Sequence, residues 1–238
     1  MNKRAVIFDM DGCLVDSELI MLSVIAQKMR ILNIPGANVA NIADKFLGVS
    51  MTEICSTLMS SVDGTSADEF AESVERLAIK RYELELKPIA GLNEALARLD
   101  ALGCDLAIAT GASKKRMKAT LKATNLTSVF GKNIANSDEV ASGKPAPDLF
   151  FLASDKIGVP PANCFVVEDS PFGVEGAVSA GMIALGFVGG SHLNNTREKH
   201  AKTLRKAGAI DVAYSLGDIV DQIEASFKRD SQSGAFGI

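Results

Sequence analysis

Two aspartates one residue apart, Asp9 and Asp11, end the uncharged run "AVIF" and lead into Gly12. A buried strand that stops on paired carboxylates either caps a turn or holds a reacting group. Other polar residues sit at similar points. Thr110 closes "LAIAT", Glu168 and Asp169 close "CFVVED", and Lys144 stands in "ASGKPAPD" just ahead of a helix. Each alone has an ordinary explanation as a helix cap, a strand terminus or a solvated surface charge. Together they fall where open parallel sheets bind ligands, beyond the carboxyl ends of strands at the point where strand order reverses. If the first and fourth strands are neighbours there, four carboxylates gather in one crevice. Such a cluster cannot all ionise unaided. A hard divalent cation with oxygen ligands relieves the repulsion, and Mg²⁺ is the common choice where phosphate is handled.

The elements that must hold these residues alternate. "AVIFD" predicts a buried parallel strand. "GLNEALARLDALG" places leucines at helical spacing, with Gly103 to end the helix. "CDLAIAT" predicts a strand, "SKKRMKATLKATN" a helix capped by Ser113, and "KNIA" a short strand. Pro147 suits the first turn of "PDLFFLASDKIG". "NCFVVED", "MIALGFV" and "IDVAY" predict strands. Helices "PFGVEGAVSAG" (where Gly173 and Gly176 allow close packing), "TREKHAKTLRKAG" and "GDIVDQIEASFKR" separate and follow them. This alternation implies right-handed crossovers and an α/β, Rossmann-like doubly wound parallel sheet. From Ser17 to Lys87 no strand is evident. "ELIMLSVIAQKMRIL" is amphipathic, and Ser66 to Glu69 form a capping box opening a helix towards Leu86. That interval is far longer than a crossover requires and is expected to form a small helical domain over 16–87, inserted into a core of 1–15 and 88–238. Residues 229–238 are expected to be a disordered tail.

Composition sets limits. The chain has 238 residues, 47% hydrophobic and 23% charged, ordinary for a globular protein able to bury a full core. A net charge of −4 leaves no basic footprint for nucleic acid. No stretch approaches a membrane span, and the apolar run after Lys3 and Arg4 is too short for a signal peptide. Cys13, Cys55, Cys104 and Cys164 are widely spaced and read as reduced thiols of a cytoplasmic protein. His192 and His200 read first as structural. The Gly-rich loop "GGSHLNN" leaves the pocket mouth open to His192.

"DMDGCLVDS", "IATG", "SGKPAPD" and "VVEDSPFGVEGAVSAG" resemble, in order and spacing, the four motifs of the haloacid dehalogenase superfamily. The helical interval resembles that superfamily's cap. The nearest pattern is that of β-phosphoglucomutase-like proteins and of sugar-phosphate or phosphoglycolate phosphatases. The resemblance implies Asp9 as nucleophile, taking the phosphoryl group as an aspartyl-phosphate. It implies Asp11 as general acid and then base. Thr110, and Gly111 beside it, would meet the phosphoryl oxygens, and Lys144 would neutralise the phosphate. Mg²⁺ would be held by Asp9, Asp169 and the main-chain carbonyl of Asp11, with Glu168 a direct or indirect ligand. Ser17 would contact substrate at the cap hinge or cap a helix.

The cap chooses the substrate. β-Phosphoglucomutases carry a histidine where this chain has Met21, and a lysine and an arginine in the cap loop where it has Leu47 and Met51. A mutase must grip a second phosphate, so the loss of these cations favours a phosphatase acting on a small phosphate monoester, a sugar or sugar-acid phosphate. Met51 would line the substrate pocket from the cap. The alternatives are a phosphosugar mutase and a non-enzymatic, receiver-like regulatory phosphoprotein. Receivers are shorter, carry their acidic pair and phospho-acceptor on different strands, and lack a helical insertion. A monomer is expected.

Overall fold

The computed structural model describes residues 3–46, 51–60 and 64–233, with backbone alone at 52 and 230–233. Strand β1 (Arg4–Phe8) is followed by four helices, α1 (Glu18–Ile31), α2 (Val39–Phe46), α3 (Met51–Met59) and α4 (Ala67–Glu85). The chain then runs through α5 (Leu92–Ala101), β2 (Cys104–Thr110), α6 (Lys114–Thr124), the short α7 (Thr127–Phe130) and β3 (Ile134–Asn136). Next come α8 (Asp148–Ile157), β4 (Cys164–Glu168), α9 (Pro171–Ser179), β5 (Ile183–Phe187), α10 (Arg197–Ala207), β6 (Asp211–Ala213) and α11 (Leu216–Ser233).

The six strands form one sheet in the order β3-β2-β1-β4-β5-β6, and every pairing is parallel. Strand order reverses at β1, which lies between β2 and β4. Ala5, Val6 and Ile7 are fully buried and Phe8 nearly so, as expected of a strand covered on both faces. Register aligns Phe8 with Ile108 of β2 and with Val167 of β4. Asp9 extends the ladder by one bond, donating its N–H to the Val167 carbonyl at 2.9 Å. The polar ends of three strands therefore fall on adjacent rungs at one edge.

Local signals account for the element ends. The Ser66 side chain accepts from the Glu69 N–H and Glu69 reaches back to the Ser66 N–H, so the capping box opens α4. Ser113 accepts from the Arg116 N–H at the start of α6. Gly103 takes a positive φ just past α5. Pro147 stands one residue before α8, at its N-cap, rather than within its first turn. The last helix runs to Ser233. Residues 229–233, taken from their polar composition as tail, are helical, and 234–238 lie outside the described residues.

The helices α1–α4 form a layer over the carboxyl edge of the sheet. The chain enters and leaves it through two linkers that bond to each other. The Asp16 N–H donates to the Lys87 carbonyl and the Ile89 N–H to that of Leu14, both at 2.9 Å. Two further contacts fasten the layers. The Ser191 N–H and hydroxyl donate to Asp16 Oδ1 at 3.1 and 2.7 Å, and the Ser113 hydroxyl donates to Glu75 Oε2 of α4 at 2.7 Å.

Candidate active site

Beneath this helical layer lies a cavity of about 510 Å³, lined by Asp9, Asp11, Gly111, Lys144, Glu168 and Asp169 from the core and by Met21 and Met51 from the helices. Its volume is within the usual range for small-molecule sites. A hollow of about 610 Å³ among α1, α2 and α3 has, among the described residues, Lys45 as its one charged lining group, so the chemistry belongs to the former.

Lys144 organises the floor. Its ammonium pairs with Asp9 Oδ1 at 2.5 Å and with Glu168, and donates to the Ala109 carbonyl at 2.9 Å. Burial works against its charge, but Asp9 and Glu168 outweigh that and hold it above the ordinary lysine range. Burial also pushes Asp9 well above the carboxylate range. Lys144 opposes that push, while Glu168, Asp169 and Asp11 add to it. Glu168 is fully buried and raised by the same desolvation, with Lys144 again opposing. Its carboxyl fits beneath α9 because residue 173 is glycine; a Cβ there would lie 2.0 Å from Glu168 Cδ. Gly173 thus makes room for a carboxylate. Gly176 serves packing, with a Cβ position 2.8 Å from the Phe150 ring.

Asp11 is held on both oxygens. Ser17 Oγ donates to Oδ1 at 2.5 Å, and Arg116 Nη1 lies 3.2 Å from Oδ2. Ser17 is buried at the N-cap of α1, makes no side-chain capping bond and does not line the cavity. Its hydroxyl donates to Asp11 and does not cap the helix. Gly12 takes φ +80°, and a Cβ there would meet Asp169 Oδ2 at 2.0 Å. Only glycine lets the backbone pass so close to that carboxylate. Thr110 is buried at the end of β2, accepting from the Ala112 N–H at 3.0 Å and keeping its hydroxyl hydrogen to donate. Leu47 lies outside the described residues.

Asp9, Cys13 and Asp169 each offer a ligand atom within 4.8 Å of the others. Two carboxylates at that spacing, beside a glycine that leaves no side chain between, fit a hard divalent cation such as Mg²⁺. Glu168 is outside this group; its oxygens go to Lys144 and the Ser170 N–H. The Cys13 thiol is pushed well above its ordinary pKa by burial and by the acids around it, so it stays protonated.

Four residues join the site that the motifs do not point to. His192 Nε2 lies 3.1 Å from Asp169 Oδ2, and His200 Nε2 lies 2.6 Å from the Asp169 carbonyl. The two histidines orient Asp169 from either end. Burial lowers the His192 pKa, but its hydrogen bond to Asp169 leaves it raised. Glu18, half-buried in the cavity wall, is pushed up to about 7 by desolvation, against the pull of His192. Arg116 is the fourth, and it also lines the cavity.

A family model described as haloacid dehalogenase-like hydrolase matches residues 3–181. The chain belongs to the haloacid dehalogenase-like hydrolase family. Among its relatives is a phosphorylated carbohydrates phosphatase of Thermotoga maritima, 30% identical over 208 residues that cover 87% of this chain and 92% of that protein. The 6-phosphogluconate phosphatase of Escherichia coli is 29% identical, covering 79% of this chain and 84% of its own. A haloacid dehalogenase-like protein of unknown function from Agrobacterium tumefaciens superposes with a TM-score of 0.80 at 32% identity, covering 94% of this chain and 99% of that one. The expected enzyme class, a phosphoric monoester hydrolase, agrees with these relatives. Among the described residues no helix is long and apolar enough to cross a membrane.

Proposed function

We infer that the chain is an Mg²⁺-dependent phosphatase of a small phosphorylated metabolite, a sugar or sugar-acid phosphate, acting through an aspartyl-phosphate on Asp9. The observation that carries this reading is the Asp9 carboxylate at the end of the central strand, paired with Lys144 and facing Asp169 across a gap sized for a cation. Two relatives named for phosphorylated carbohydrates and 6-phosphogluconate support the substrate class.

The residues supply the steps. The Asp9 oxygen not bound to Lys144 attacks phosphorus in line with the ester oxygen, so the Oδ–P bond forms as the ester P–O bond breaks. Asp11 gives its proton to the departing oxygen. A water then attacks the acyl phosphate, Asp11 takes its proton, and the O–P bond to Asp9 breaks to release phosphate and restore the enzyme. Lys144, Thr110 and the backbone around Gly111 meet charge on the phosphoryl oxygens. Mg²⁺, held by Asp9, Asp169 and the Asp11 carbonyl, would keep Asp9 ionised and balance the phosphoryl charge. The helical layer excludes water once substrate is in place.

Hydrolysis is favoured over mutase chemistry because Met21 and Met51, both on the cavity wall, offer no cation to a second phosphate. The test is steady-state turnover of p-nitrophenyl phosphate with Mg²⁺. Repeated turnover that disappears in Asp9→Asn is expected. One stoichiometric phosphorylation without turnover, or normal rates in Asp9→Asn, would refute the mechanism.

A further inference from the structure

We propose that Arg116 is the specificity-determining residue that reads a carboxylate on the substrate's leaving group, so the preferred substrates carry both a phosphate ester and a carboxylate. This rests on the phosphatase reading above and narrows it. The starting point is a buried guanidinium in the cavity wall with only part of its bonding capacity used. The Arg116 side chain is 13% exposed and pairs with Asp11 Oδ2 through Nη1. Burial opposes its charge, while Asp11, Tyr82 and Glu18 around it keep it protonated. A guanidinium has five N–H donors in a planar fork, suited to two-point binding of a carboxylate.

Positioning Asp11 does not by itself require this cation, since Ser17 already fixes the other Asp11 oxygen from 2.5 Å. Lys144 is the cation of the phosphoryl site itself, paired there with Asp9 and Glu168, so a second anion needs another partner. Arg116 lines the same cavity as the reacting carboxylates. Asp11 must reach the ester oxygen at about 2.7 Å, and Arg116 Nη1 lies 3.2 Å from Asp11 Oδ2. The guanidinium is therefore within roughly 6 Å of the ester oxygen, close enough for a carboxylate on the carbon chain attached to it. A second phosphate fits less well. Asp9, Asp11, Glu18, Glu168 and Asp169 already line the cavity, and one guanidinium offsets a single negative charge rather than a dianion.

The test compares kcat/KM for matched pairs, 6-phosphogluconate against sorbitol 6-phosphate and 2-phosphoglycolate against ethyl phosphate, in the unmodified chain and in Arg116→Gln and Arg116→Lys. The unmodified enzyme should prefer the carboxylate-bearing member of at least one pair tenfold or more. In Arg116→Gln that ratio should fall at least tenfold, chiefly through KM, whatever loss the two members share, and Arg116→Lys should recover part of it. If Arg116→Gln does not fold, Arg116→Lys alone gives the answer, with a fall of at least threefold as the fork becomes a point charge. No preference in the unmodified enzyme, or an equal loss on both members, overturns the inference and leaves Arg116 as a positioning residue for Asp11. Failure of the underlying phosphatase reading looks different: no phosphate ester is turned over at all.

Discussion

Glu18→Gln isolates what a half-buried carboxyl in the cavity wall costs the fold. Glu18 shifts from an ordinary 4.5 to about 7, with desolvation the main cause and His192 opposing it. Each pKa unit corresponds to about 1.4 kcal/mol, so full ionisation in the folded state costs about 3.5 kcal/mol at most. Residual water contact and the lost attraction to His192 and Arg116 reduce the net effect of the substitution to about 1–2 kcal/mol. The sign follows from the raised folded-state pKa. Below pH 4.5 the group is protonated in both folded and unfolded chains and costs nothing. Between pH 4.5 and 7 the unfolded chain releases its proton first, and stability is lost as the pH rises through the folded-state value. Glutamine has no such dependence. Urea unfolding of both proteins in EDTA at pH 4.5 and pH 8 is the assay. Glu18→Gln should match the parent at pH 4.5 and exceed it by about 1–2 kcal/mol at pH 8. A difference independent of pH, or a variant weaker than the parent at pH 8, would show that the site solvates this carboxylate after all.

Asp11→Asn should lower kcat by roughly 10²–10⁴-fold, since an amide can neither give nor take the proton; phosphate release under single-turnover conditions checks it. Asp169→Ala should weaken Mg²⁺ binding, read directly by titration calorimetry, and unchanged affinity would move the cation elsewhere. Lys144→Met should destabilise the metal-free protein by about 3–5 kcal/mol, because two buried carboxylates lose their partner. Adding Glu168→Gln should restore part of that, and a double variant no more stable than Lys144→Met would show that Glu168 was not the charge left uncompensated.

Much of this was legible in the chain because strand ends are written locally. Period and composition mark "AVIFD", "LAIAT" and "CFVVED" as buried strands, and a parallel sheet brings their carboxyl ends together by topology alone. Asp9, Lys144 and Glu168 therefore meet as anticipated, although 135 residues separate Asp9 from Lys144. What the chain hides is orientation. Arg116 sits in "SKKRMK", which reads as a solvated basic helix face. Its signal is position: Ser113 caps α6, so Arg116 is in the first turn after β2, the turn that overlooks the site. His200 is hidden because its reach to Asp169 depends on how α10 packs, and the contact of His192 with Asp169 depends on the path of the loop between β5 and α10. Ser17 misleads for a related reason. A serine heading a helix is usually a cap, but here the hydroxyl turns back six residues to Asp11. The helical tail beyond 228 reflects continuation of α11, which local polarity does not forbid.

The pairing of charges around the floor explains why the proposed reaction needs an added cation for reactivity as well as for affinity. Lys144 is shared between Asp9 and Glu168, Arg116 meets Asp11 through one of its nitrogens, and His192 meets Asp169. Each protein cation thus answers an acid, yet Asp9 and Asp169 still face each other within 4.8 Å. Burial, reinforced by three neighbouring acids, pushes Asp9 up against the pull of Lys144 and so works against its ionised form. A protonated carboxyl is a poor nucleophile. Moving Lys144 closer cannot cure this, since it already touches Asp9; removing Asp169 would relieve the repulsion and take away half of the cation site. A divalent ion held by Asp9 and Asp169 would shift the balance, replacing a like-charge repulsion with two attractions in a partly buried site. The same burial that disfavours the ionised form of Asp9 would make each of those attractions stronger once an ion was bound.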